Sequence, residues 1–344
     1  MQAPAAHLPA ALADLDVRVD ACELEPHAFE TPGFSRLTTV VALHGDGHVG
    51  RGEDVAYVAA EQLQHRAAHP FTLSGTRTLA EWCSALDAID LHSGTPADAT
   101  SADYRRWAYE SALLDLGLRQ AGTTLGTLLG RTPQPVRFCV SSNLGPDIWH
   151  AVDPSLEFKS DARQDWTAEH IAHLHSLDRV RVVDIKAHYG DAWGLSPEDA
   201  RTQLSLVLAG LPDAVIEDPP TDDRALELLD GQLGRVAFDA PVHSVADILR
   251  LPQTGWMNIK PSRFGTIARL LEAIDHCEQR GLHLYGGGQF ELAIGRRQIQ
   301  ELAALWYADG PNDVAPGVYN ATTAESGLPG SPLTGLGLAA GFGA

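Results

Sequence analysis

Basic residues are scarce in this chain: 25 Lys and Arg stand against 45 Asp and Glu, a formal net charge of −20. A field of that sign repels a phosphate backbone, so nucleic acid is excluded as a partner class. Long apolar runs are also missing. Although 44% of the residues are hydrophobic, nowhere do they approach the ~20 consecutive apolar positions that a membrane-spanning helix needs, so no membrane partner is expected. Cysteine is limited to Cys22, Cys83, Cys139 and Cys277. They lie far apart with no CxxC pair, which removes both a disulfide framework and a thiolate zinc cluster. The opening MQAPAAHLPAALADLDVRVD lacks a basic stretch followed by an apolar core and a cleavage site, so a secretory leader is not expected and the cytoplasm is the default location.

The 344 residues are enough for a large α/β barrel, or for a barrel with a second domain. FSRLTTVVALHGDGHVGRGE (34 to 53) reads as a strand, a GDG turn and a second strand, the pattern of a hairpin. YRRWAYESALLDLGLRQAG (104 to 122) carries apolar residues at helical spacing and ends on a glycine stop. Two prolines in TPQPV (132 to 136) then break the pattern. Beyond them, short apolar runs alternate with amphipathic segments, the rhythm of βα units. The expected strands are 136–142, 155–161, 180–186, 213–218, 235–240, 256–260, 282–287 and 313–316. Eight such units argue for a closed barrel over an open sheet. The expected division is an α+β unit over 1–133, a (β/α) barrel over 134–320, and a Gly- and Ala-rich tail over 321–344 that packs back on the first unit.

The middle strands finish on ionisable residues: Lys159, Asp184 with Lys186, Glu217, Asp239 and Lys260. In a parallel barrel the carboxyl ends of all strands meet on one face, so charges one βα unit apart in sequence converge on one pocket. Three carboxylates in one cavity repel, and protonation, salt bridges or a divalent cation can relieve them. All-oxygen ligation without His or Cys favours Mg²⁺ over zinc, with Mn²⁺ as the alternative. As structural elements, the same acids would be helix N-caps or lysine partners. Lys159 and Lys260 flank the acids in chain order, which places them on opposite sides of the cluster. Two amines so placed can take and return a proton at a carbon between them, or else serve only as counter-ions.

These residues resemble the enolase superfamily, and its muconate lactonizing enzyme subgroup in particular. RLTTVVALHGDGHVGRGE is similar to that family's capping-domain hairpin, and VVDIK, VIEDP, AFDAPVHSVADI, NIKPSRFGTIARLL and YGGGQFELAIGRRQIQELAAL to its third to seventh barrel strands and the segment after the seventh. The resemblance implies a modified TIM barrel of the (β/α) type under an N-terminal α+β capping domain, with Asp184, Glu217 and Asp239 as Mg²⁺ ligands and Lys260 as an acid/base. Pro219 and Pro220 then end the fourth strand just past its metal acid, because proline supplies no ladder donor. The second strand departs from the family's Lys-x-Lys. Aligned by spacing to Asp184, Lys159 takes the place of the proton-transferring lysine and Glu157 that of the other. Lys186 stands where the family commonly has Asn, as a group for a substrate carboxylate, a replacement for the missing lysine, or a salt-bridge partner of Asp184 or Glu217. Gln289, Glu291 and Asp313 are candidates near the substrate, and loops around Phe34 would touch it.

The expected activity is abstraction of the proton α to the carboxylate of a small acid, followed by elimination, as in o-succinylbenzoate synthase, by cycloisomerisation or by racemisation. A dipeptide or amino-acid epimerase is the near alternative, with Asp313 as the acid for a substrate ammonium. A catalytically retired barrel that binds a metal and an acid is the alternative of another class. A symmetric homo-oligomer is the common assembly for such a scaffold.

Overall fold

The structure is a computed structural model that describes residues 7–31, 34–68, 73–92, 94–190 and 194–344. Its N-terminal layer holds β1 (Asp16–Val19), β2 (Ala21–Thr31), β3 (Phe34–Gly45), β4 (His48–Asp54) and β5 (Gly75–Thr78). β2, β3 and β4 form an antiparallel meander, and β1 pairs with β5. The β3–β4 hairpin turns through Asp46 and Gly47, both at positive φ (50° and 75°), which suits the right-handed twist of the strands on either side. The helix Thr100–Gln120 lies across this sheet. It approaches β4 so closely that a Cβ at Gly50 or Gly52 would collide with helix backbone at Ala112 or Ala108, so only glycine permits this packing.

The barrel strands are β6 (Cys139–Val140), β7 (Glu157–Asp161), β8 (Val180–Asp184), β9 (Val215–Glu217), β10 (Val236–Ala237), β11 (Trp256–Ile259) and β12 (His283–Gly286). β6 to β10 form one parallel sheet in sequence order, and β11 and β12 form a parallel pair. Single hydrogen bonds close the ring. Asn258 N–H donates to Phe238 O at 3.1 Å, Asp313 N–H to Gly286 O at 2.8 Å, and Cys139 N–H to Asn312 O at 2.7 Å. The expected eighth strand, 313–316, is not formed; an isolated bridge from Phe138 to Asn312 stands in its place. The buried Asn312 side chain does the ladder's work: Oδ1 accepts from Gly286 N–H at 2.6 Å, and Nδ2 donates to the Arg137 and Gly310 carbonyls, each at 2.9 Å. Pro316 then removes a donor where the strand would continue.

Alternation along the strands sorts the side chains. A small apolar cluster of Val182, Val215, Ala237 and Tyr285 fills the barrel interior, separate from the main core. The C-terminal segment runs back over the molecule. Leu333 bridges to Val136, and the buried Phe342 ring meets Trp107 edge-on at 6.3 Å, with its amide donating to Asp115 Oδ1 at 2.7 Å. Among the described residues no helix is long and apolar enough to cross a membrane.

Candidate active site

Parallel register sets the site. Asp161, Asp184, Glu217 and Ala237 are successive cross-strand partners, so Asp184 and Glu217 stand at one level of neighbouring strands and Asp239 follows two residues past Ala237. All three acids are buried. Burying three carboxylates costs far more than their packing returns unless cations face them, and each has one here. Lys159 Nζ lies 2.6 Å from Glu217 Oε1, Lys186 Nζ 2.8 Å from Asp184 Oδ2, and Lys260 Nζ 2.7 Å from Asp239 Oδ2.

Neutral groups complete the cluster. Asn258 Nδ2 donates to Glu217 Oε2 at 3.1 Å, and the Tyr285 hydroxyl donates to the same oxygen. Tyr189 O–H donates to Asp239 Oδ2 at 2.6 Å, with Arg263 Nη2 at 3.3 Å. Asp218, buried at positive φ (46°), accepts from the Asp239 and Ala240 amides at 2.8 and 2.9 Å and so pins the turn after β10. Its carboxylate lies with those of Asp184 and Glu217 in a set whose oxygens are within 4.8 Å of one another.

The charges pull in opposite directions. Burial raises the Glu217 pKa and Lys159 pulls it back, while Asp184 and Asp239 push it up again. Asp218 is pushed well above the usual carboxylate range by burial and then by Asp239, Asp184 and Glu217. For Asp239 burial also acts upward, but Arg263, Lys260 and Lys159 outweigh it and hold the carboxyl low. Burial acts downward on Lys159, yet Glu217, Asp313 and Asp184 hold its ammonium charged well above the usual range.

The donor set fits a hard divalent cation. It is all oxygen; the buried Asp239 Oδ1 has no hydrogen-bond partner, and Asp184 Oδ2 meets only lysine ammoniums, Lys186 at 2.8 Å and Lys159 at 3.9 Å. Orphaned buried acceptors of this kind are costly without a cation.

The remaining sequence candidates fall at different depths. Lys159 reaches Asp313 at 3.5 Å and Asp184 at 3.9 Å as well as Glu217, and its side chain is only 2% exposed. Lys186, at positive φ (59°), folds back so that its own amide donates to Asp184 Oδ1 at 2.8 Å and its ammonium lies between Asp184 and Asp161. Of the partners weighed for it, the structure shows Asp184. Glu157 is not in the cluster: it accepts from Arg137 Nη2 at 2.8 Å and Arg181 Nε at 2.7 Å. Asp161 is the residue of β7 that stands level with Asp184.

Gln289 is buried and, with its amide oxygen turned toward Arg263, accepts from Nε at 2.8 Å. Glu291 accepts from Gln289 N–H at 2.6 Å with Oε1, while its buried Oε2 faces Arg296 Nη2 at 3.4 Å. Gly287 passes so near Lys260 that a Cβ there would sit 2.8 Å from Cε. The N-terminal layer reaches this loop through Arg36, which donates to Val55 O, Ala56 O and Gln289 O at 2.6, 2.9 and 2.8 Å. Glu53 at the end of β4 accepts from the Leu292, Ala293 and Gly295 amides at 2.7, 3.0 and 2.9 Å, capping the helix Ile294–Trp306. The Phe34 side chain lies outside the described residues.

Asp218, Tyr189, Asn258, Arg263 and Tyr285 were missed in the sequence. Asn258 could have been found, because it lies two residues before Lys260 on the same strand face. Tyr189 and Arg263 follow their strands by several residues, where no period carries them.

Residues 10–128 and 132–321 match the N-terminal and C-terminal domains described as domain of unknown function (DUF8230). The chain is 26% identical over 218 residues to the o-succinylbenzoate synthase of Bacillus subtilis (strain 168), a match over 60% of this chain and 57% of that enzyme's length. Among solved structures, a member of the enolase superfamily from Listeria innocua Clip11262 superposes with a TM-score of 0.61 at 18% identity, over 88% of this chain and 85% of that one. A dipeptide epimerase from Methylococcus capsulatus complexed with Mg ion superposes with a TM-score of 0.63 at 19% identity, over 85% and 88%. The fold is that of the enolase superfamily, an N-terminal cap over a (β/α) barrel.

Proposed function

This chain belongs to the family described as domain of unknown function DUF8230, and from its fold and its site we propose a divalent-cation-dependent enzyme of lyase or isomerase type that removes the proton α to the carboxylate of a small acid. The observation that carries the reading is the burial of Asp184, Glu217 and Asp239 at consecutive strand ends, near enough to act on one another's charge and each facing a lysine within 2.8 Å. Asp184, Glu217 and Asp239 would hold the cation, Mg²⁺ or Mn²⁺, with Asp218 fixing the turn that carries Asp239. Bound there, the cation would supply the positive charge against which the substrate carboxylate gains its second negative charge.

The chain's own groups do the rest. Lys260 gives and takes the proton at Nζ, oriented by Asp239 at 2.7 Å. Tyr189 and Arg263 hold Asp239, and Asn258 and Tyr285 hold Glu217, so neither acid swings when Lys260 moves. Lys159 lies across the cluster as the group for the opposite face.

The synthase relative favours elimination as the onward step. The epimerase alternative asks Asp313 to hold an ammonium, but that acid already faces Lys159 at 3.5 Å. The reading is tested by calorimetry of Mg²⁺ binding with wild type and Glu217→Gln, then by NMR of a carboxylic acid library in D₂O with wild type and Lys260→Ala. Metal binding lost in the first variant, with deuterium uptake at an α-carbon lost in the second, is the expected result. Metal binding without any exchange would favour a retired barrel, and stoichiometric binding by Glu217→Gln would defeat the ligand assignment.

A further inference from the structure

The three lysines at the mouth are not equivalent. The Lys159 and Lys260 side chains are 2% and 8% exposed, and each is seated against a fully buried acid. Lys186 is 21% exposed and leans on two unlike partners, the buried Asp184 at 2.8 Å and the half-exposed rim residue Asp161 at 3.3 Å. Its left-handed backbone turns the side chain back over the strand end. Its ammonium also lies 4.5 Å from the centroid of the Tyr189 ring, an uncharged face on which a cation can rest without an acid.

Asp184 Oδ1 is fixed by a backbone amide, so Oδ2 is the oxygen open to any other cation, and Lys186 stands at it. A divalent ion bonded to that oxygen and an ammonium 2.8 Å from it are like charges competing for one place. Among the described residues, Asp161 at 3.3 Å on the open rim offers the displaced ammonium a second carboxylate.

We propose that Lys186 is a transferable cation, which neutralises Asp184 while the cluster lacks a metal and, once a divalent ion takes Oδ2, presents its ammonium at the rim to the carboxylate of the incoming substrate. This rests on the metal site proposed above. Lys186 then determines specificity for anionic ligands and couples their capture to metal loading, while Lys159, only 2% exposed and still facing Asp313 at 3.5 Å, stays in place.

Mn²⁺ binding is measured by electron paramagnetic resonance in wild type, Lys186→Met and Lys186→Arg, each with and without succinate as the carboxylate probe. Lysine acylation is read by mass spectrometry in wild type with and without Mg²⁺. The expected result is that Lys186→Met binds Mn²⁺ about tenfold more tightly, since its competitor is gone, and no longer gains Mn²⁺ affinity from succinate. Lys186→Arg should restore the succinate effect, and Lys186 should acylate several-fold faster with Mg²⁺ present, while Lys159 does not. Unchanged or weaker Mn²⁺ binding by Lys186→Met, with normal binding by wild type, overturns this proposal and leaves the metal site standing. Failure of wild type to bind Mn²⁺ overturns both.

Discussion

Buried carboxylates occur in two parts of this molecule and are satisfied in two ways. In the N-terminal layer, Asp54 takes Arg105 Nε at 2.8 Å on one oxygen and the Ala56 amide at 3.0 Å on the other, with His65 Nδ1 at 3.4 Å. Burial alone would raise its pKa, but the His65 contact and the Arg105 charge outweigh burial and hold it below the usual range. At the barrel mouth each acid faces a lysine within 2.8 Å, with Arg263 also on Asp239, and Asp239 Oδ1 is left without a hydrogen bond. A guanidinium fork or a backbone amide is fixed in place, whereas an ammonium on a four-carbon stem can leave. The first arrangement is held by fixed donors, and the second sets acids against side chains that can move away.

The sharpest way to break this comparison is Arg105→Met, which strands Asp54 in the interior. Denaturant unfolding should show a loss of about 3–5 kcal/mol; a loss under about 1 kcal/mol would erase the distinction.

Glu301 carries the comparison to a pH axis. It is buried, accepts from the Gly343 amide at 2.6 Å, and burial pushes its pKa from 4.5 up to about 7. The folded state keeps this proton to a higher pH than the unfolded chain does. Stability should therefore fall as pH rises from 4.5 to about 7 and level off above, by on the order of 3 kcal/mol. Thermal melts across that range should lose this slope in Glu301→Gln.

A smaller effect belongs to Glu53→Gln. This change weakens a helix cap but keeps one acceptor, so about 1 kcal/mol is expected by denaturant unfolding.

The smallest stability change belongs to the mouth. Glu217→Gln relieves repulsion from Asp184 and Asp239, and Lys159 keeps Asp184 and Asp313. Its unfolding free energy should stay within about 1 kcal/mol of wild type while calorimetry shows Mg²⁺ binding lost. A loss as large as that of Arg105→Met would mean that the mouth acids also serve the fold.

Much of this was legible in the sequence. The GDG hairpin, the long helix and the one-per-unit recurrence of strand-end charges are local signals, and parallel register turns the last of them into a cluster. The eighth strand was not, because Asn312 replaces a ladder with side-chain bonds that no period reveals. Glu157 misled because strand position says nothing of Arg137 and Arg181, its partners from neighbouring strand segments. Lys186 was visible as a cation, but its return over Asp184 depends on a left-handed backbone that favours glycine and that this lysine adopts nonetheless.

The Glu53 cap has a mechanical consequence. A carboxylate from the hairpin is latched into three amides of the barrel, and Arg36 bolts the same seam to the Gln289 carbonyl. Swinging the N-terminal layer aside as a door would unmake all of these at once, a barrier of several times the thermal energy for each pass. The seam therefore opens as one unit or not at all, because the hairpin carboxylate and the guanidinium let go of the barrel together.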